Sequence, residues 1–516
     1  MAGLELDAVG REGPRADLRA GQVDEDTDRA TDLVGDGAHL VQQLEVVGEL
    51  AVAEVEADHV DPGRDQPTER FGRVAGRSDR GNDLRAPGHT CLSSRRMDVA
   101  LDLDDPTADL RRYLDESPSP WHAVATTVAR LASAGFTAVS ETEEWRSPVE
   151  RGYVVRGGAL VAWRRAGTGP APVRVIGAHT DSPGLRVKPN PDLVRAGWRQ
   201  LGIEIYGGVL LNSWLDRDLG LAGRILHGDG RAALVRVDEP IARVPQLAIH
   251  LDREVNERGL LLDRHTHTVP VWATQFDVAF EEWLTERAGT GVITGWELVL
   301  YDVQPAAVIG ADRSLLASGR LDNLASCWAA TTALVDAEPS GDTAVIALFD
   351  HEEVGSASTT GASGPFLESI LQRLHDASGG SRDDFHRTMA GSSCVSADNA
   401  HAVHPNYPER HDPDHGPLVN RGPAIKLNAN QRYATSADTA DLFRRACDDA
   451  GVPVQTFVSR NNMPCGSTIG PLTATRLGID TVDVGVPQLS MHSARELCGT
   501  FDPPALAAAM TAYLGG

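Results

Sequence analysis

The stretch Thr343-Ala344-Val345-Ile346-Ala347-Leu348-Phe349 contains no charged residue, and Asp350-His351-Glu352-Glu353 follows it directly. A short apolar run that ends in polar residues is typical of a strand buried on both faces of a sheet. Carboxylates at the mouth of such a strand are costly unless they are paired or bind a metal ion. The stretch therefore predicts a buried strand with a polar site at its carboxyl end.

Two other apolar runs support a sheet of this kind. Residues 173–178 lead into His179, and residues 481–485 form a third buried run. Helical patterns lie between the runs, notably over residues 323–337 and 439–451. Strands that alternate with helices predict an α/β fold with a mostly parallel sheet covered on both faces. Ligands in such folds bind beyond the carboxyl ends of the strands, which is where the polar clusters of this sequence lie.

Residues 1–96 differ in composition from the rest of the chain. They contain one aromatic residue, Phe71, and no tryptophan, tyrosine or lysine, although the whole chain has nine tryptophans, seven tyrosines and ten phenylalanines. Such a segment lacks the large side chains whose burial offsets the entropy of ordering. We therefore predict that residues 1–96 are a disordered extension or the product of a mis-called gene start, with a second possible start at Met97.

The sequence from residue 97 onward predicts a catalytic domain that is interrupted by an insertion. Residues 97–185 and 318–516 have the α/β pattern, whereas residues 186–317 contain short β-like runs separated by turns. We therefore interpret residues 186–317 as an inserted β-rich domain that divides the catalytic domain into two parts. The β-like runs within it are residues 209–211, 232–237 and 296–301.

Composition excludes several classes of function. The formal net charge of −25 argues against nucleic acid as a partner, because phosphate binding needs clustered lysine and arginine. The sequence has no apolar run of membrane-spanning length and no secretory signal, so we expect a protein without a membrane partner. Its six cysteines lack CxxC spacing, which is typical of reduced thiols in the cytoplasm rather than of a thiolate zinc site or a disulfide framework.

Imidazole and carboxylate side chains occur in five short polar clusters: His179 with Asp181, Asp322, Glu352 with Glu353, Asp398 with His401 and His404, and His492. Such ligands without thiols suit zinc, manganese or cobalt. Two metal ions that share a bridging carboxylate need five ligands, and spare carboxylates can then accept a proton from water or orient a histidine. Each cluster alone is more often structural or solvated, so spacing leaves a dinuclear metallohydrolase and an ordinary set of polar residues both open.

Longer strings add a resemblance to a known family. The strings are residues 177–183, 318–323, 349–356, 396–407, 426–435 and 491–493, and they span nearly all of the sequence after Met97. In their order along the chain they are similar to motifs of the aspartyl aminopeptidase family. The resemblance implies a three-layer α/β/α zinc-peptidase domain with an inserted dimerisation domain, and assembly as a tetrahedral homododecamer.

The resemblance also implies a metal centre of two Zn²⁺ ions per subunit, with Mn²⁺ or Co²⁺ as possible substitutes. Asp322 would bridge the two ions. His179 and Asp398 would complete the shell of one ion, and Glu353 and His492 the shell of the other.

The remaining implied roles concern catalysis and substrate. Glu352 would be the general base, and Asp181 would hold His179 in orientation. The substrate side would be lined by His250 from a neighbouring subunit and by His401, Lys426, Tyr433, Gly466 and Ser467.

The function implied is removal of acidic N-terminal residues from peptides in the cytoplasm. Three alternatives remain at this point: an aminopeptidase that prefers neutral residues, a dinuclear amidase or deacylase, and a catalytically inactive shell protein whose role is assembly. The last is disfavoured, because all seven implied metal and catalytic positions have chemically competent side chains.

We expect a chain that begins at Met97 to fold, assemble and hydrolyse substrate like the full chain, because the residues before it supply almost no large apolar side chains. Sedimentation and turnover of the two chains, measured side by side, check this expectation. Loss of solubility or activity on truncation would show that residues 1–96 pack against the rest.

Overall fold

The computed structural model describes residues 105–275, 277–289, 291–466 and 469–515. The prediction for residues 1–96 and the predicted substrate-side residue Ser467 lie outside the described residues. Within the described ranges the fold is a mixed α/β arrangement built on three sheets. No helix in those ranges is both long enough and apolar enough to cross a bilayer.

The largest sheet has nine strands, and four adjacent central strands are parallel. Antiparallel neighbours flank these four strands on each side. In spatial order the strands are β1 (Thr137–Ala138), β2 (Arg151–Arg156), β3 (Ala159–Arg164), β13 (Thr343–Phe349), β4 (Val173–His179), β14 (Ser393–Ala397), β18 (Asp480–Gly485), β16 (Ala424–Leu427) and β17 (Gln455–Val458). The four parallel strands are β13, β4, β14 and β18. The strands predicted at residues 173–178, 343–349 and 481–485 are thus confirmed in the centre of one sheet, where β14 separates β4 from β18.

Alternate residues of β13 pack into two different apolar cores, because successive side chains of a strand point to opposite faces. Ala344, Ile346 and Leu348 belong to one core, and Val345 and Ala347 to the other. Helices on the first face are α1 (Pro106–Glu116), α2 (Pro120–Ser133), α5 (Leu321–Asp336), α8 (Ala437–Asp449) and α10 (Asp502–Gly515). Helices on the second face are α6 (Phe366–Ala377), α7 (Arg382–Ala390) and α9 (Ile469–Leu477).

Local sequence explains where several of these helices begin. Asp105 precedes α1, and its carboxylate accepts a hydrogen bond from the Thr107 N–H at 2.9 Å, while proline occupies the first helical position. Ser381 and Asp384 form a reciprocal capping box at the start of α7. The helices predicted over residues 323–337 and 439–451 are observed as α5 and α8, each displaced by one or two residues.

The second sheet is antiparallel and has a separate core that includes Leu221, Leu298, Leu300 and Trp283. In spatial order its strands are β8 (Ala232–Ala242), β7 (Leu219–His227), β10 (Ile293–Asp302), β5 (Gly184–Arg195), β6 (Trp198–Tyr206) and β9 (Val271–Ala273). Two helices, α3 (Val255–Arg258) and α4 (Phe280–Ala288), lie between these strands in sequence.

One β-like run of the insertion was predicted incorrectly. Residues 209–211 form no strand but lead into a 3₁₀ helix, Leu211–Trp214. The Leu210 N–H donates to the carbonyl of His492 at 3.1 Å, so this segment contacts the loop that contains His492 instead of joining a sheet. Its apolar side chains gave the sequence a strand-like pattern that long-range contacts override.

The third sheet is small and brings distant parts of the chain together. Its strands are β11 (Ala307–Ile309), β12 (Leu315–Ser318), β20 (Glu496–Gly499), β19 (Pro487–Leu489) and β15 (Ala400–His401). Ser318 on β12 lies opposite Glu496 on β20. This pairing places the start of α5 beside the loop that joins β19 to β20.

Candidate metal centre

Asp322, near the start of α5, occupies the middle of the candidate site. Its side chain is only 3% exposed, and each of its two oxygens faces a different imidazole. Oδ1 is 3.4 Å from Nε2 of His179, and Oδ2 is 3.6 Å from Nε2 of His492. Such a placement is the one required of a carboxylate that bridges two cations.

A further carboxylate lies beside each imidazole. Asp398 Oδ1 is 3.6 Å from His179 Nε2, and Glu353 Oε2 is 3.4 Å from His492 Nε2. The five predicted ligands are therefore brought together as two groups that share Asp322. One ligand atom from each of His179, Asp322 and Glu353 lies within 4.8 Å of the others.

The sheet topology explains this convergence. His179 is the last residue of β4, Asp398 follows β14, and Glu353 lies in a 3₁₀ helix, Glu352–Val354, just after β13. The carboxyl ends of adjacent parallel strands meet at one edge of the sheet. His492 arrives from the loop between β19 and β20, where its backbone adopts a φ of +67°.

Both histidines direct Nε2 toward the carboxylates and Nδ1 toward a backbone carbonyl. Nδ1 of His179 is 3.0 Å from the carbonyl oxygen of Asp181, and Nδ1 of His492 is 3.0 Å from the carbonyl oxygen of Gly208. Because a carbonyl oxygen can only accept, each Nδ1 is the donor. Nε2 of a neutral imidazole then presents its lone pair to the carboxylates, which is the tautomer of a metal ligand.

The electrostatics favour a bound cation. Among the described residues, no hydrogen-bond donor reaches Oδ1 of Asp322 or Oε1 of Glu353, although both atoms are buried. Burial and the charge of Asp322 raise the pKa of Glu353 well above its usual value. Burial opposes protonation of His179, but its neighbouring carboxylates raise its pKa. Nitrogen and oxygen ligands with an excess of negative charge fit zinc.

Asp181 has a wider structural role than the orientation of one histidine. Its carboxylate accepts hydrogen bonds from the N–H groups of Glu352 and Glu353, each at 3.1 Å, and from the hydroxyl of Tyr206 at 2.7 Å. Its Oδ1 is also 3.5 Å from Nδ1 of His179. Burial raises the pKa of Asp181, but these contacts, that with His179 above all, outweigh it and lower the pKa.

Glu352 lies at the border of the ligand groups. Its Oε2 is 4.0 Å from Nε2 of His179, and its side chain is more exposed than those of Asp322 and Glu353. Burial raises the pKa of Glu352 to about 7, and the charges of Asp398 and Asp322 add to the shift. The side chain of Glu352 thus lies beside the ligands and is partly exposed.

Four hydrogen bonds, made by three residues, were not anticipated from the sequence. Glu496 accepts hydrogen bonds from the backbone N–H groups of Asp322 and His492, Tyr206 donates to Asp181, and Gly208 accepts from His492. Tyr206 and Gly208 come from the inserted segment, far from the ligands in sequence. Only Glu496 had a local signal, since it stands four residues after His492.

Sequence comparison identifies the family of the chain. The profile of the Aminopeptidase I zinc metalloprotease (M18) family matches residues 113–514. The chain belongs to this family. Membership makes it a metallo-aminopeptidase, and therefore a peptide hydrolase, of a zinc-dependent family.

Individual relatives agree with this assignment. A probable M18 family aminopeptidase 2 of Streptomyces coelicolor is 53% identical over 419 residues, which cover 79% of this chain and 97% of that protein. Among solved structures, a chain in the cryo-EM structure of the Ape4 and Nbr1 complex has 35% sequence identity to this chain and a TM-score of 0.76. The match covers 79% of this chain and 85% of that chain. A chain of the mApe1 dodecamer of S. cerevisiae has 28% sequence identity to this chain and a TM-score of 0.69. The match covers 79% of this chain and 96% of that chain.

The predicted substrate-side residues of this M18 chain are only partly brought together. Lys426 on β16 is 2% exposed, and its Nζ lies 5.0 Å from the ring centroid of Tyr433. The rings of Tyr433 and His401 each pack edge-on near Phe457, at centroid distances of 6.3 and 6.2 Å. These three predicted residues therefore share one aromatic cluster beside Asp398.

Gly466 and His250 are the other predicted substrate-side residues that the structure describes, and both are exposed. A Cβ added at Gly466 would meet open space. His250 is exposed in a 3₁₀ helix, Ile249–Leu251, and among the described residues it forms no hydrogen bond or ion pair with a predicted ligand.

Proposed function

We propose that this M18 chain removes aspartyl and glutamyl residues from peptide N-termini, using two zinc ions per subunit, with Mn²⁺ or Co²⁺ as substitutes. The observation that supports this most directly is the placement of Asp322 between two histidines, each with its own additional carboxylate. His179, Asp322 and Asp398 would hold one ion, and His492, Asp322 and Glu353 the other. When bound, such ions supply Lewis acidity toward the scissile carbonyl and lower the pKa of water.

Asp322→Ala should reduce the zinc content from about two ions per chain toward zero, because both ligand groups share this carboxylate. Asp398→Ala serves as the matched control, since Asp398 lies in one group only and its loss should leave the other ion bound. Elemental analysis of the purified variants measures both contents. About one zinc ion per chain in fully active, unmodified protein would contradict the two-ion proposal.

Glu352 would act as the general base. It is assigned to neither ligand group and lies on the Nε2 side of His179, whereas Asp181 lies on the Nδ1 side. The hydrogen bond from its N–H to Asp181 fixes the turn on which it stands. Its carboxylate would accept a proton from the attacking water and return that proton to the leaving amine nitrogen. Asp181 supports this role indirectly, because it holds the adjacent backbone of Glu353 in the same way.

Glu352→Gln preserves the shape of the side chain but cannot accept the proton. We expect it to retain zinc and to lose a factor of about 10²–10⁴ in kcat, the usual contribution of a general base. Glu353→Gln makes the same change at the next residue and should instead lose zinc. Turnover and zinc content measured on both variants separate the two roles. Near-normal turnover by Glu352→Gln would place the base elsewhere, with Asp181 the next candidate.

Lys426 would recognise the acidic side chain of the substrate. Its ammonium is 3.3 Å from Asp398 Oδ2 and 3.3 Å from the carbonyl oxygen of Asn399, and both groups accept hydrogen bonds from it. A lysine has three N–H donors, so a third remains for a substrate carboxylate. A compact ammonium also suits a small pocket better than a planar guanidinium. His401, Tyr433, Gly466 and Ser467 would line the same side.

Lys426→Met should lower kcat/KM for aspartyl peptides by about tenfold to a hundredfold relative to leucyl peptides, the worth of one charge-assisted hydrogen bond. The ratio between the two substrate classes is the informative quantity, because loss of the contact with Asp398 slows both classes equally. Lys426→Arg keeps the charge and should still lose the acidic preference. The substrate panel for this test consists of dipeptides that differ in the first residue, together with N-acetyl amino acids, which a deacylase would hydrolyse.

Two outcomes of this panel would contradict the assignment. Preference of the unmodified protein for leucyl over aspartyl peptides would favour a neutral aminopeptidase. An unchanged ratio in Lys426→Met would show that Lys426 does not contact the substrate side chain.

The proposal extends to assembly and location. We interpret residues 97–185 and 318–516 as a three-layer α/β/α catalytic domain and residues 186–317 as an inserted dimerisation domain within a cytoplasmic homododecamer. Large apolar side chains flank His250 in exposed positions, including Leu247, Ile249 and Leu251. Exposed apolar groups of this kind are typical of an interface. His250 would then reach the site of a neighbouring subunit.

A further inference from the structure

Glu496 is a buried carboxylate that links two distant parts of the site. It begins β20, is 2% exposed, and its two oxygens accept hydrogen bonds from two different backbone segments. Oε2 accepts from the N–H of Asp322 at 2.9 Å, and Oε1 accepts from the N–H of His492 at 2.7 Å. One side chain thus joins the residue shared by both ligand groups to the histidine of the second group.

The backbone at these positions needs such support. His492 has a φ of +67°, and Arg320, two residues before Asp322, has a φ of +59°. Residues other than glycine seldom adopt these values unless the surrounding structure imposes them. The paired hydrogen bonds to Glu496 fix the peptide groups of both ligands relative to β20.

The two ligand groups are secured differently. His179 is oriented by the carbonyl of Asp181, and Asp398 by the ammonium of Lys426, so neither depends directly on Glu496. In the second group, both Asp322 and His492 are bound by Glu496 through their N–H groups. Loss of Glu496 should therefore affect the second group more than the first.

We infer that Glu496 is a positioning residue that sets the distance between Asp322 and His492 and so determines the affinity for the second zinc ion. This inference rests on the proposed two-zinc function. An amide in its place has one acceptor oxygen and one NH₂ group, so one backbone N–H would face another donor. Changes to groups that support metal ligands typically cost about 10–100-fold in metal affinity.

The test is a zinc titration of the full-length, metal-depleted protein carrying Glu496→Gln. Asp502→Asn is the matched control, because buried Asp502 also accepts two backbone N–H bonds, from Asn420 at 2.6 Å and Gly422 at 2.8 Å, but contacts no predicted ligand. We expect Glu496→Gln to bind the second ion about 10–100-fold more weakly. The first ion, whose ligands His179 and Asp398 do not contact Glu496, should lose less affinity, although it shares Asp322. Asp502→Asn should lower the melting temperature while both zinc affinities stay unchanged.

The outcomes separate this inference from the proposed function. If the unmodified protein binds one zinc ion, the proposed function fails and the inference fails with it. If the unmodified protein binds two and Glu496→Gln binds both with unchanged affinity, only the inference is overturned. Equal weakening in Asp502→Asn would also overturn it, since the effect would then be one of general stability. Glu496→Asp, which keeps both acceptor oxygens on a shorter side chain, provides the same comparison if the glutamine variant does not fold.

Discussion

The buried carboxylate of Asp322 faces His179 with one oxygen and His492 with the other. Because it is buried, its charge must be offset by neighbouring groups rather than by water. An isolated carboxylate in such a position would be costly, because it has lost water and gained too few donors. Other carboxylates crowd the same space, so the repulsion between them adds to the cost. A cation held between these groups would remove both penalties at once.

Each of the three sheets positions residues of this site. Parallel strands of the large sheet deliver His179, Asp398 and the two adjacent glutamates at one edge, because their carboxyl ends coincide. The small sheet brings the loop of His492 to the start of α5. The antiparallel sheet contributes Tyr206, whose hydroxyl holds Asp181, and leads into Gly208, whose carbonyl orients His492. Each sheet therefore supplies a contact that the other two sheets do not supply.

Sequence reasoning succeeded where a residue's position follows from its own strand. Three of the four central parallel strands were predicted from local hydrophobicity, and the polar residues that follow β4 and β13 had to converge once these strands were parallel. The fourth, β14, which precedes Asp398, was not predicted. Sequence reasoning failed where contact depends on distant segments: residues 209–211 were predicted as a strand but bind the His492 loop, and Tyr206 gave no sign of its contact with Asp181. Glu496 was missed for a related reason. A glutamate near a ligand resembles a surface residue until the pairing of β12 with β20 shows that it is buried.

The two halves of the candidate centre are stabilised by different interactions. In the half that contains Asp398, the side chain of Lys426 donates a hydrogen bond to the carboxylate of that ligand, and under the proposed function the same ammonium would meet an acidic substrate. Substrate recognition and ligand charge would then be coupled, because one group would serve both. In the half that contains His492, Glu496 accepts hydrogen bonds from the peptide N–H groups of Asp322 and His492, so these ligands are held through their backbone instead. A substrate carboxylate would therefore perturb the half that contains Asp398 more directly than the half that contains His492.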